Sequence, residues 1–292
     1  MLAAEEVRQL ERFALGASSA TPAATMAGLR FARARGFGIE FQDFRAYQPG
    51  DDPRSIDWKI EARLRQLVVR VFRAEGHIRL HVLVDASASM SLGTPSKFDC
   101  ARKIAAALCY VAIARQDEAG LTLFDARLRA RVPVAAGRVQ LGRVLDVLGR
   151  QSATGRSAIS RSLTDYGALV RGPGLAVVIS DFYEPGACLD AIRYLAYRGL
   201  NPAVIQVVGD DELQPDVDGH VALRDIEDPL AAPVVIGPDD VAAYQSRMAA
   251  HSDRLRSCAV GQGLPWLRIP ASTTFAGMLD ACVQAGLLAA HA

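Results

Sequence analysis

From Ile78 onward the chain alternates short apolar runs with amphipathic stretches, and this constrains the fold more than any other feature. Ile78, Leu80, Val82 and Val84 alternate with Arg79 and His81, as a strand does. Phe98 to Ala114 carries a helical stripe of Phe98, Ala101, Ala105, Leu108 and Ala112. Strand-like Leu121–Phe124 and the edge-like Arg131–Val134 follow, then helical Val139–Leu148 and Ala158–Val170. Leu175–Ile179 and Ala203–Val208 are continuous apolar runs, expected of strands buried on both faces, with helical Leu189–Tyr197 between them. Val221–Asp225 and Val234–Ile236 read as a short hairpin, Val241–Val260 as a long helix, Trp266–Ile269 as a last strand and Phe275–Leu288 as a last helix. Such alternation predicts an α/β fold: a doubly wound, mostly parallel sheet with helices on both faces, over residues 77–292.

Residues 1–76 read as an N-terminal extension. A short helix is expected over 2–16, then a Ser/Thr/Ala/Pro-rich linker over 17–27. From Gly36 to Lys59 aromatics (Phe37, Phe41, Phe44, Tyr47, Trp58) interleave with charges (Glu40, Asp43, Arg45, Asp51, Asp52, Arg54, Asp57). Pro49-Gly50-Asp51-Asp52-Pro53 is a strong turn signal. Val68–Phe72 should be a strand. Arg45, Asp51, Asp52, Arg54, Asp57 and Trp58 form either a partner-binding surface or an internal network that fixes the extension. Turn chemistry favours the second, with Trp58 and Tyr47 in the extension's core.

With 292 residues and 50% hydrophobic content the chain can bury an ordinary core, and a net charge of +1 gives no electrostatic case for nucleic acid. Arg30, Arg33 and Arg35 are too few to make such a patch. The five cysteines are scattered without a CxxC pair, which argues against zinc and a disulfide framework and fits a reducing compartment. No run approaches the roughly 18–20 apolar residues of a membrane helix, and Met1–Leu10 lacks the pattern of a signal peptide. A cytoplasmic protein is the expectation.

Ligands of open α/β sheets gather at the carboxyl ends of strands. The strand from Ile78 ends in Asp85-Ala86-Ser87-Ala88-Ser89, with hard oxygen donors in one short turn. The run Leu175–Ile179 ends in Ser180-Asp181. Between them Thr154-Gly155-Arg156-Ser157 adds a glycine turn with hydroxyls before a helix. Asp85, Ser87, Ser89, Asp181 and either Ser157 or Thr154 are therefore candidate ligands of Mg²⁺ or Mn²⁺, which favour such oxygens. Two carboxylates and three hydroxyls leave the ion able to accept one more carboxylate, from a partner.

The Asp-x-Ser-x-Ser turn, the glycine–hydroxyl loop and the Ser-Asp after a buried strand resemble the metal-ion-dependent adhesion site of von Willebrand factor A domains. The stretch Gly38-Ile39-Glu40-Phe41 with Arg45-Ala46-Tyr47-Gln48-Pro49-Gly50-Asp51-Asp52-Pro53-Arg54-Ser55-Ile56-Asp57-Trp58 is similar to the hallmark of a bacterial family catalogued as domain of unknown function 58. That resemblance implies a von Willebrand A-like, Rossmann-type fold with an N-terminal extension. It implies Asp85, Ser87, Ser89, Ser157 and Asp181 as the metal site, with Ser157 where the family usually offers Thr. It further implies partnership with a MoxR-type AAA+ ATPase or its client, in maturation or assembly of other proteins.

Enzyme readings find little support. There is no GxxxxGK[ST] and no Gly-x-Ser-x-Gly elbow. A metal-dependent hydrolase on the same loops lacks a histidine or lysine placed as base, and a scaffold with a vestigial metal site is the other alternative. His77 and His81 are expected to be structural, and the cysteines buried apolar fillers.

Overall fold

The computed structural model describes residues 2–16, 39–47, 56–74, 77–183, 188–227 and 231–290. They fall into two compact units, one drawn from 31–77 and the other from 1–30 and 78–292. In chain order the elements begin with α1 (Ala4–Leu10), β1 (Phe13–Leu15), β2 (Ile39–Ala46), α2 (Trp58–Leu64) and β3 (Val68–Ala74). Then come β4 (Arg79–Asp85), α3 (Lys97–Ala114), β5 (Glu118–Phe124), β6 (Leu128–Ala135), α4 (Arg138–Arg150), α5 (Ile159–Leu169) and β7 (Gly174–Ser180). The last are α6 (Cys188–Tyr197), β8 (Leu200–Val208), α7 (Asp210–Leu213), β9 (Gly219–Arg224), β10 (Ala231–Ile236), α8 (Pro238–Gly261), β11 (Trp266–Pro270), α9 (Phe275–Gln284) and β12 (Leu288–Ala290).

The larger unit is the doubly wound sheet that the alternation predicts, in the order β11-β8-β7-β4-β5-β6. All neighbours are parallel except β6, which closes one edge antiparallel to β5. Period-two alternation sorts the side chains into two cores. Leu80, Val82 and Val84 of β4 and Leu175, Val177 and Ile179 of β7 pack with α3, α4 and α9. Leu83, Ala176 and Val178 face α5 and α6 on the other side. The chain winds from β4 to β5 in one direction and reaches β7 on β4's other flank. The ends of β4 and β7 therefore meet at the switch point of the sheet, where a doubly wound fold opens a crevice.

His81 lies on the second face and is fully buried, with Nδ1 2.8 Å from the Tyr166 hydroxyl. Burial, with Arg79 and Arg131 nearby, lowers its pKa to about 4. Its Nε2 is buried without a hydrogen-bond partner among the described residues, and the ring sits inside the protein rather than on a polar strand face. Gly174 lets β7 start beside it. A Cβ there would lie 2.7 Å from the Arg79 carbonyl oxygen and 2.7 Å from the His81 ring. Gly174→Ala should cost about 1–3 kcal/mol, read as a fall in thermal midpoint; an unchanged midpoint would contradict this packing.

Two local expectations change. Residues 2–16 are not one helix. The chain breaks after Leu10, and Phe13–Leu15 pairs antiparallel with Leu288–Ala290. The last helix stops at Gln284, not Leu288. Gly286 takes a left-handed φ of +72°, and the Leu287 N–H donates to the Cys282 carbonyl, a helix-ending arrangement. The expected hairpin is present as β9 and β10. All five cysteines are free, and Cys258 alone among them is not fully buried. No helix among the described residues is long and apolar enough to cross a membrane.

The smaller unit is an antiparallel β2–β3 hairpin, bulged between Phe41 and Asp43, with α2 beside it. Buried Asp57 starts α2. Its N–H donates to the Val68 carbonyl, and its Oδ1 accepts from the Ile60 N–H at 3.3 Å. Trp58 is 59% exposed, which corrects its expected place in a core: as first residue of the helix it projects outward. Arg45 lies on β2, paired in register with Val69. Asp51, Asp52 and Arg54, like the linker over 17–27, lie outside the described residues.

Candidate metal site at the sheet switch point

The loop after β4 is held open by its neighbours. The Ala86 N–H donates to the Phe124 carbonyl at 2.7 Å, so the backbone leaves the strand at Asp85. Asp85 Oδ1 accepts the Ser87 N–H at 2.9 Å, a local turn that short acidic side chains favour. Ser87 then begins a short 3₁₀ turn, and its Oγ lies 3.1 Å from Ser89 Oγ. Asp85 and Ser87 are buried, and Ser89 is half-buried.

The middle loop is tied to the first by backbone. The Thr154 N–H donates to the Ala86 carbonyl, and the Ala88 N–H to the Gly155 carbonyl, each at 2.8 Å. Gly155 turns through φ +87°, and a Cβ there would sit 3.1 Å from Asp125 Oδ2. The turn brings Ser157 Oγ to 3.5 Å from Asp85 Oδ2. Thr154 is directed elsewhere. Its Oγ1 accepts from Arg129 Nη1, which also reaches the carbonyls of Ala86, Ser152 and Thr154. Of the two hydroxyls left open by the sequence, Ser157 is the one beside Asp85.

The third loop leaves β7 at Ser180. Its Oγ donates to Asp85 Oδ2 at 2.7 Å and accepts the Phe182 N–H at 3.0 Å. Phe182 is a buried non-glycine residue at φ +58°, a costly backbone position that turns the chain sharply after Asp181. Gln206 Nε2 donates to the Asp181 carbonyl at 3.3 Å.

Sequence reasoning missed what holds Asp181. Lys97, fully buried at the start of α3, places Nζ 2.8 Å from Asp181 Oδ2 and 2.5 Å from Glu212 Oε1. Its ammonium lies 4.6 Å from the centre of the Tyr183 ring, whose hydroxyl donates to Glu212 Oε2 at 2.7 Å. Burial and the charge of Glu212 raise the Tyr183 pKa, so it stays a donor. In the sequence Lys97 follows a helix-capping Ser96 and looks like any first-turn residue. Glu212 looks like an N-terminal helix acid, and its Oε2 does accept the Gly209 N–H. No local signal joins the two.

The charge balance bears on whether a cation fits. Asp181 and Glu212 share the Lys97 ammonium, while Asp85 has the charge of Asp181 beside it. Burial, and then the charge of Asp181, push the Asp85 pKa up to about 7, against hydrogen bonds from Ser180 and Ser87. Among the described residues no ion pair serves Asp85. The 3.5 Å gap to Ser157 Oγ is too long for a strong O–H···O bond. An ion with legs of about 2.1 Å can bridge such a gap. No three His, Cys, Asp or Glu side chains group as ligands among the described residues, so any ion held here depends on hydroxyls. The donor set fits a hard divalent cation on Asp85, Ser87, Ser89 and Ser157. Asp181 has Oδ2 on Lys97 and Oδ1 accepting the Tyr183 N–H at 3.4 Å, a long bond that leaves Oδ1 a lone pair for an ion.

Two solved structures match part of the chain at low sequence identity. One is BatB from Bacteroides thetaiotaomicron: 15% identity, 71% of this chain and 96% of that one, TM-score 0.46. The other is an aerotolerance-related membrane protein from Bacteroides fragilis: 15% identity, 71% and 98% covered, TM-score 0.46. In sequence, Uncharacterized protein Rv1480 of Mycobacterium tuberculosis is 30% identical over 239 residues, covering 80% of this chain and 75% of that protein. The family model described as "Protein of unknown function DUF58" matches residues 43–254, a span that takes in the α2 region, all three loops and the β9–β10 hairpin, and the chain belongs to that family.

Proposed function

We propose that the chain is a divalent-cation-dependent protein-binding module. Asp85, Ser87, Ser89, Ser157 and Asp181 would hold Mg²⁺ or Mn²⁺, and the ion would supply a Lewis-acidic position for an acidic side chain of a partner. The observation that carries the reading is the convergence of three loops on Asp85, a buried carboxylate with hydroxyls around it and no cation paired with it among the described residues. The chain's residues do the rest. Ser180 and the Ser87 N–H orient the Asp85 carboxylate, and Lys97 fixes Asp181.

The partner class rests on the resemblance to proteins that act with MoxR-type AAA+ ATPases, and such an ATPase or its client is the expected ligand. Five free cysteines support a reducing, cytoplasmic setting. The test is retention of proteins from native extract on wild type and on Asp85→Ala, each with Mg²⁺ or with EDTA. An AAA+ ATPase or its client held only by wild type with Mg²⁺ is expected. The same proteins in all four arms would overturn metal-gated capture.

A further inference from the structure

The β9–β10 hairpin sends one side chain to the site. Glu227, in the segment after β9, lies with its Oε2 accepting the Ser157 N–H at 3.0 Å. Ser157 is the residue whose hydroxyl faces Asp85. Glu227 is half-buried, and its own N–H donates to Asp225 Oδ1 at 2.8 Å, a turn that aims the side chain. Among the described residues no cation pairs with this carboxylate. A carboxylate that pairs with no cation among the described residues is thus bonded to the backbone of the residue whose hydroxyl faces Asp85.

We propose that Glu227 is a tethered, in-chain occupant of the open metal position, and that an acidic partner side chain must displace it to bind. The proposal rests on the metal-dependent reading above and adds its regulation. A carboxylate on the same chain acts at an effective concentration of millimolar or more, so it competes with any free acidic group. The apparent affinity for a partner falls by the fraction of molecules in which Glu227 has moved away. The β9–β10 hairpin then decides how accessible the site is, and a partner that grips the hairpin would open it.

The probes are Mn²⁺ alone, followed by water-proton relaxation, and acetyl-glutamate amide added to the Mn²⁺-loaded protein, followed by calorimetry. Wild type, Glu227→Gln, Glu227→Asp and Asp85→Ala are compared. Asp keeps the charge and shortens the reach. Glu227→Gln and Glu227→Asp should both raise the relaxation of bulk water, because a coordination position opens to solvent. Both should bind acetyl-glutamate amide about tenfold more tightly than wild type. Without metal, the Ser157 amide resonance should shift in both variants, which shows that they are folded and that the contact has been lost. If wild type binds Mn²⁺ through Asp85 but neither variant changes relaxation or probe affinity, the tethered occupant is overturned and the metal site stands. If wild type and Asp85→Ala alike fail to bind Mn²⁺, the metal reading falls and this inference with it.

Discussion

Lys97→Met should lower the thermal midpoint of the metal-free protein by about 10 °C. The ammonium is fully buried between Asp181 and Glu212. Removing it leaves two carboxylates without their shared counter-charge, and breaking a buried pair from one side costs about 3–5 kcal/mol. For a unit of this size each kcal/mol moves the midpoint by roughly 2–4 °C. The loss should arise from stranded charge rather than lost volume, since methionine fills most of the lysine stem. The triple variant Lys97→Met, Asp181→Asn, Glu212→Gln should therefore recover most of the midpoint. A Lys97→Met protein within about 2 °C of wild type would mean that the network carries little stability.

Asp85→Asn should have the opposite effect. Asp85 in the folded protein holds its proton to about pH 7, against an ordinary value of 3.8. Between those values the folded state binds the extra proton, so stability falls as pH rises from about 4 to 7, and the penalty is complete above 7. A shift of that size is worth a few kcal/mol. In EDTA at pH 8, Asp85→Asn should melt several degrees above wild type, and the gap should close by pH 4.5. His81 works the other way. Its pKa is lowered to about 4 from 6.5, so its contribution is lost as pH falls through that window. The two effects oppose each other in wild type, and Asp85→Asn should reveal the acid-side loss alone. Mg²⁺ should raise the wild-type midpoint and leave the variant unmoved. A variant less stable than wild type at pH 8 would show that the Asp85 charge is already compensated in the folded protein.

Residues whose partners are local, or whose pattern is periodic, were legible from sequence. Leu175–Ile179 read as a strand buried on both faces because nothing in it is polar, and it became β7. Arg131–Val134 read as edge-like, and it lies on β6 at the antiparallel edge. Asp85, Ser87 and Ser89 could be grouped because one turn contains them. Ser157 could be separated from Thr154 only in three dimensions, because the choice is made by Arg129, a residue of β6. Lys97, Glu212 and Glu227 were invisible for the same reason. Each is an ordinary charged residue until the fold places it, and two of them come from helix ends where such residues are common. The short β1 was misread as helix and β12 was not anticipated, because three-residue strands carry no period and their pairing spans nearly the whole chain.

That pairing bears on the order in which the protein can mature. Leu10 and Leu15 belong to the same core as α3 and α9, and β1 has its edge satisfied by β12. During synthesis the first elements leave the ribosome long before β12 exists. Until then β1 has no backbone partner, and part of the apolar surface around α3 stays uncovered. Closing so distant a contact is slow, because loop-closure entropy must be overcome before the pairing contributes anything. The larger unit therefore completes its core only when residues 288–290 arrive. In the interval its open strand and bare helix face are surfaces a chaperone would recognise.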